Sequence, residues 1–194
     1  MHPIERLRYV ARASGASQRA IVAETARALA SFGDDPQGLV TACRRIVSRQ
    51  PTSGPLLWFA ARVLTAGDPA SEIWEAAGAV QADPTASELR HALPADAVVA
   101  VLGWPDLIAD VLPRRGDLQV LVVDVASEGS AFVSRLVRED VDAVDVPLSG
   151  LGAAVAASDL LLLEASAVGP EEALAIAGSR GAAAVARHAG VPGW

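Results

Sequence analysis

The sequence predicts an α/β protein: an N-terminal helical domain over residues 1–93, then a Rossmann-like parallel α/β domain over 94–194. Three observations predict it. Up to about residue 92, apolar residues recur at helical spacing. Beyond about 95 they gather in short β-branched runs that alternate with helical stretches. Those runs are apolar almost throughout, as strands covered on both faces of a parallel sheet must be.

The helical elements come in order. Ile21, Thr25, Ala28 and Phe32, with Val22, Ala26 and Leu29, form one stripe. Gly33-Asp34-Asp35-Pro36 breaks it, and Pro36 suits the first turn of the next helix. Leu39, Val40, Cys43, Ile46 and Val47 make the second stripe. Pro51 to Pro55 punctuates again. Leu56, Leu57, Ala60, Val63 and Leu64 follow, up to Gly67-Asp68-Pro69, and then Ile73, Trp74, Ala77 and Val80. Asp83-Pro84 opens a short fifth segment. Trp58 and Trp74 fall on or beside these stripes and are expected in the core.

Four strands are expected at 97–102, 118–123, 141–146 and 160–163. Helical patterns lie at 106–112, 130–139, 151–157 and 171–189. Gly190-Val191-Pro192 reads as the start of one more strand. The stretch from Asp159 to Ser179 reads as a buried strand, a turn and a helix of small residues. In α/β folds chemistry gathers at such a turn, at the carboxyl ends of strands.

Composition removes much chemistry. All 16 basic residues are arginine, and the chain has neither lysine nor asparagine. That excludes a Schiff-base or P-loop lysine and an asparagine oxyanion donor. A net charge of −7 argues against direct nucleic-acid binding, and Arg44, Arg45, Arg49, Arg114 and Arg115 read as solvated arginines. The longest apolar runs are far shorter than the ~20 residues of a membrane span. No secretory leader is expected, and Cys43 is the single cysteine. A cytoplasmic setting is expected. Cys43 lies on its helix's apolar stripe and reads as a buried structural thiol.

Several constellations fall short of known sites. Ser149-Gly150-Leu151-Gly152 follows a strand and opens a helix, but lacks the third glycine and the ribose-binding acid of a dinucleotide loop. Close packing by small residues is the plainer reading. His2, His91 and His188 show no metal-binding spacing, and no metal or cofactor is expected. His188 suits the C-terminal dipole of its helix. Trp104-Pro105 directly follows the first strand, where the indole either floors a pocket or plugs one. The plug is favoured, because it leaves only an N–H to satisfy. Arg180, beside Ser179, could meet a phosphate bidentately, although a surface arginine is the commoner reading.

Gln50-Pro51-Thr52-Ser53-Gly54-Pro55-Leu56 resembles the Arg-Pro-Thr-x-x-x-Leu signature of the alpha, beta and delta regulatory subunits of eukaryotic initiation factor two-B. Methylthioribose-1-phosphate isomerase and ribose-1,5-bisphosphate isomerase belong to the same superfamily. Leu163-Glu164-Ala165-Ser166-Ala167-Val168 resembles that family's Gly-Ala-Asp-Ala-Val run. Ala175-Ile176-Ala177-Gly178-Ser179 resembles its Asn-Lys-Ile-Gly-Thr. Leu118 to Asp124 with Gly129 is similar to its strand-then-acid stretch. Ser14-Gly15-Ala16 is similar to its N-terminal turn.

The resemblance implies the fold, a homodimer or related subunit joined through the α/β domain, and a sugar phosphate or nucleotide as ligand. It places that ligand near Ser14, Gly15, Arg49, Thr52, Gly103, Trp104, Ser149, Ser166, Ser179 and Arg180. It also exposes departures. The isomerases' cysteine and aspartate become Gly103 and Ser166, and the motif's Asn and Lys become Ala175 and Ile176. Gln50 replaces the arginine before Pro-Thr. Acid–base catalysis needs a titratable group in reach of the moving proton. The leading expectation is therefore a catalytically inactive binding or regulatory protein. A diverged isomerase would have to use Glu164, Asp124 or Asp106. A third reading is a purely structural subunit. The position of those carboxylates discriminates: converging on an open pocket for an enzyme, capping helices or facing solvent for a scaffold.

Overall fold

The computed structural model describes residues 17–32 and 35–194. The chain divides into two compact units. One comprises the residues up to Asp83 together with Ser166–Leu174; the other comprises Pro84–Ala165 with Ala175–Trp194.

The helical unit contains α1 (Gln18–Leu29), α2 (Pro36–Arg49), α3 (Gly54–Thr65) and α4 (Pro69–Gln81). Each begins where a small oxygen-bearing side chain precedes it. Ser17, Asp35, Ser53 and Asp68 accept hydrogen bonds from the backbone N–H groups of Ala20, Gly38, Leu56 and Ala70, respectively. Such caps satisfy amides that a helix start leaves free. Proline in the first turn of α2, α3 and α4 adds a fixed φ where no N–H is needed.

Ile21, Val22, Leu29, Leu39, Ile46, Leu56, Phe59, Val63 and Ile73 share one core. The expected facing of α3 and α4 needs correction. Leu57, Leu64, Trp58 and Trp74 lie outside that core and are exposed. Both helices carry apolar residues on more than one face, so periodicity alone does not choose the buried one.

Cys43 is buried as expected, and burial pushes its thiol up to about 11. Since the thiolate is the reactive form, native protein is expected to be inert to a disulfide-exchange reagent at pH 8 and to react fully once denatured. A time course of thiol release checks this.

The α/β unit opens with α5 (Thr85–Ala92), whose Ala86 and Leu89 pack against this unit's core. Its sheet contains β1 (Val98–Leu102), β2 (Gln119–Asp124), β3 (Asp142–Pro147) and β4 (Leu160–Leu162). All pairings are parallel, in the order β3-β2-β1-β4. The four expected strands are these four. The tail after Gly190 pairs beside β4, where Leu161 donates to the Pro192 carbonyl and Leu163 to that of Trp194.

Alternation along the strands serves two cores. Val99, Val101, Val120 and Val122 face Phe132 and Leu136, on α7 (Gly129–Arg138). Ala100, Leu102 and Leu161 face Val155 of α8 (Leu151–Ala156) and Ala182 and Ala186 of α9 (Ser179–Ala189). A short α6 (Ile108–Val111) follows β1. β3 is an edge strand with Asp142 and Asp145 exposed, charges that discourage edge pairing.

Two further expectations fail. Residues 171–178 are not helical. β5 (Ala165–Val168) pairs with β6 (Ala173–Ala175), and α9 starts only at Ser179. The turn closes with the Gly169 N–H donating to the Glu172 carbonyl, and Gly178 at φ +95° opens α9. Glu-Glu-Ala-Leu-Ala is a helix-forming string, but strand pairing overrides so weak a preference. Arg115 is not simply solvated either. It donates to the carbonyls of Arg90, Leu93 and Pro94 and pairs with Asp117, tying the end of α5 to the start of β2.

Candidate functional site

β2 and β3 continue to one side of β1, whereas β4 lies on the other. The carboxyl ends of β1 and β4 therefore flank the topological switch point, where open parallel sheets leave a crevice. Gly103 ends β1 there at φ +58°. A Cβ on it would lie 2.9 Å from Ile176 Cδ1 and 3.3 Å from Val125 Cγ2. By the resemblance, Ile176 stands at the motif's lysine position and Gly103 at the isomerases' cysteine position, and here Ile176 lies beside Gly103. Val125 and Ile176 both pack against the Leu102–Leu161 core. Apolar side chains line this corner of the crevice.

Trp104 does not fill it. Its ring stacks on Phe132, with centroids 5.4 Å apart, and the Arg135 guanidinium lies 5.9 Å from the ring centre. The indole lies over α7 and stays partly exposed. Ile176, not Trp104, is the side chain that lies over Gly103.

Two of the three candidate carboxylates, Glu164 and Asp124, have structural duties. Glu164 follows β4 and accepts from three successive amides: Asp106 at 3.1 Å, Leu107 at 2.8 Å and Ile108 at 3.2 Å. It caps the turn that opens α6. Burial pushes its carboxyl above the ordinary range. Those amide bonds pull the other way without offsetting it, and neighbouring Asp106 pushes further up.

Asp124 Oδ1 accepts from the amides of Ala126, Glu128 and Gly129, closing the loop into α7. Replacing Asp124 by alanine is expected to cost about 1 kcal/mol, readable as a lower urea midpoint at unchanged slope. Asp106 is half-buried beside Glu164.

In the helical unit, Ser166 and Thr52 come together. The Ser166 hydroxyl donates to the Thr52 carbonyl at 2.6 Å and accepts from the Gly54 N–H at 3.2 Å. The position that is aspartate in the isomerases is here a stitch between the β5–β6 hairpin and the start of α3. Arg49, in the last turn of α2, is exposed.

Ser179, Arg180 and Ser149 belong to the α/β unit. The Ser179 hydroxyl donates to the Ile176 carbonyl at 2.8 Å, while Arg180 and Ser149 are exposed. In the loop after β3, a Cβ on Gly150 would meet Val146, as close packing predicts, but Gly152 borders open space. Ser14, Gly15 and His2 lie outside the described residues. Among the described residues no group of three or more His, Cys, Asp or Glu side chains is placed to hold a metal, and no helix is long and apolar enough to cross a membrane.

A separate open cavity of about 420 Å³ lies beside the tail strand, between Leu163, Ala186, Arg187 and Trp194. None of the sequence-predicted residues lines it. An acid just beyond a buried strand is the sequence signal that singles out Glu164, but the amides it caps lie 56 to 58 residues away. The sequence marked Ile176 as a substituted motif residue but not its approach to Gly103, which spans 73 residues.

No protein-family model matches the chain, and no curated protein does. Solved structures do. A translation initiation factor eIF-2B from Pyrococcus horikoshii OT3 superposes with a TM-score of 0.82 at 12% identity, over 98% of this chain and 76% of that one. The eIF2B delta subunit from Chaetomium thermophilum gives 0.75 at 15% identity, over 98% and 85%. The eIF2B beta subunit of the same organism gives 0.68 at 16%, over 98% and 73%. At such identities the likeness is one of fold: helices first, then a parallel four-stranded sheet interleaved with helices.

Proposed function

We propose that this chain is a non-catalytic binding or regulatory protein built on the fold of the eIF2B subunits, working in the cytoplasm through association with protein partners. One observation carries the reading: Glu164, the best-placed acid in the crevice, is already bound to three backbone amides. A base held this way cannot swing to a substrate without undoing the turn that opens α6. Ile176 over Gly103 supports the same reading, because it leaves an apolar contact where the resembled isomerases have a thiol. Subunits of this fold assemble in the tetrameric eIF2B-beta2-delta2 complex from C. thermophilum, which makes assembly a natural occupation for it.

The test is an isomerase assay on pentose phosphates and methylthioribose-1-phosphate, run beside a thermal-shift screen with the same compounds and nucleoside phosphates. No turnover above buffer is expected. Turnover that Glu164→Gln abolishes would sink the proposal and revive the diverged isomerase. A selective thermal shift that Arg180→Ala removes would add a phosphate ligand to it. Binding at a hundred times the dissociation constant would stabilise the fold by about 2.7 kcal/mol. Silence across the panel would favour a purely structural subunit.

A further inference from the structure

We infer that the outer face of α3 docks a second copy of this chain across a two-fold axis passing near Ala61. The sequence of α3, GPLLWFAARVLT, is apolar around most of its circumference. Leu56, Phe59, Ala60 and Val63 take the core side. On the opposite side Leu57, Ala61 and Leu64 stand at i, i+4 and i+7, with Trp58 alongside. Leu57 is 52% exposed, Trp58 42% and Leu64 39%. A surface helix ordinarily carries charge there.

Three properties of the strip select a second copy as its occupant. The first is charge. Leu57, Trp58, Ala61 and Leu64 carry none, and Arg62 at the rim is already paired with Glu72 and lies 5.2 Å from the Trp58 ring centre. A chain of net charge −7 repels itself over much of its surface. An uncharged strip with a neutralised rim is where that repulsion is least, because a two-fold contact sets a patch against its own copy and any net charge on it against itself.

The second is symmetry. Two antiparallel copies of α3 set Leu57 of each against Leu64 of the other, with the two Ala61 methyl groups facing at the centre. Alanine there allows the close end of the ~8–10 Å range of helix separations. The third is area. The exposed parts of these side chains amount to a few hundred Å², on the order of the largest apolar patch a monomer ordinarily shows. A standard interface takes ~800 Å² from each partner, a little over half of it apolar. The strip supplies most of that apolar share. This inference stands on the helical unit alone and is independent of the reading of the crevice.

The test is light scattering after size exclusion over a hundredfold range of loading, for the wild type and Ala61→Arg. The wild type is expected to self-associate, and Ala61→Arg to weaken the association at least tenfold. Arginine is a strong helix former at an exposed helix position, so an unchanged circular dichroism melt accompanies that result. A second variant keeps the inference testable if the arginine perturbs folding. Ala61→Cys is expected to form an interchain disulfide under mild oxidation, without competition from buried Cys43. A wild type that stays monomeric at every loading overturns the inference. So does association that Ala61→Arg leaves intact, or a self-associating Ala61→Cys protein that fails to cross-link.

Discussion

Replacing Gly54 by alanine is expected to destabilise the protein by about 3 kcal/mol. On helix propensity alone the sign would be the opposite, since alanine in place of glycine favours a helix by up to ~1 kcal/mol. Geometry decides. A Cβ on Gly54 would lie 1.8 Å from the Ser166 carbonyl oxygen and 2.5 Å from its carbonyl carbon. Those are backbone atoms, so no rotamer change relieves the clash. The β5–β6 hairpin must lift off the start of α3. Ser166 then loses its bonds to Thr52 and Gly54. Urea unfolding of Gly54→Ala beside Ser166→Ala separates the two costs. Ser166→Ala removes the stitch without the clash and should cost about 1 kcal/mol. A Gly54→Ala protein as stable as the wild type would mean that the hairpin is not held against α3.

Glu164→Ala is expected to cost about 2 kcal/mol, because three partly buried amides lose their acceptor together. Its pH dependence is more diagnostic. Burial holds the folded-state pKa of Glu164 above the ordinary 4.5. A group raised in this way contributes stability that is fully present below about 4.5 and is lost as pH rises through the folded value. Glu164→Gln has nothing to titrate there. The stability of the wild type relative to Glu164→Gln should therefore fall as pH rises from 4 toward neutrality. Urea midpoints of both proteins across that range check it. A wild type that gains on the glutamine variant with rising pH would mean that the three amide bonds outweigh the desolvation of the charge.

How much of this was legible beforehand follows the range of the interactions involved. The strands could be read because Val98–Leu102 and Gln119–Asp124 are apolar enough to admit little but a buried strand. The helix breaks at Asp35-Pro36 and Asp68-Pro69 could be read because they act locally, as do the caps that the structure adds there, whose partners lie within three residues. Glu164 was identified as a noteworthy acid at a strand end. Its duty as a cap was not legible, since the amides it serves lie 56 to 58 residues away. Ser166 could be named as a substituted site residue but not as a stitch, for the same reason.

The sequence by itself determined the helical-then-α/β order, the four strands and the burial of Cys43, because hydrophobic periodicity is a local record of which residues must leave water. Tertiary structure alone decided which side of α3 faces the core, since Leu57 and Leu64 are as apolar as Leu56 and Val63. It alone turned a helix-forming string at 171–175 into a turn and a strand, β6 (Ala173–Ala175), because pairing with β5 satisfies the backbone as well as a helix would. And it alone put Ile176 rather than Trp104 over Gly103, a choice made by packing between residues that the chain itself keeps far apart.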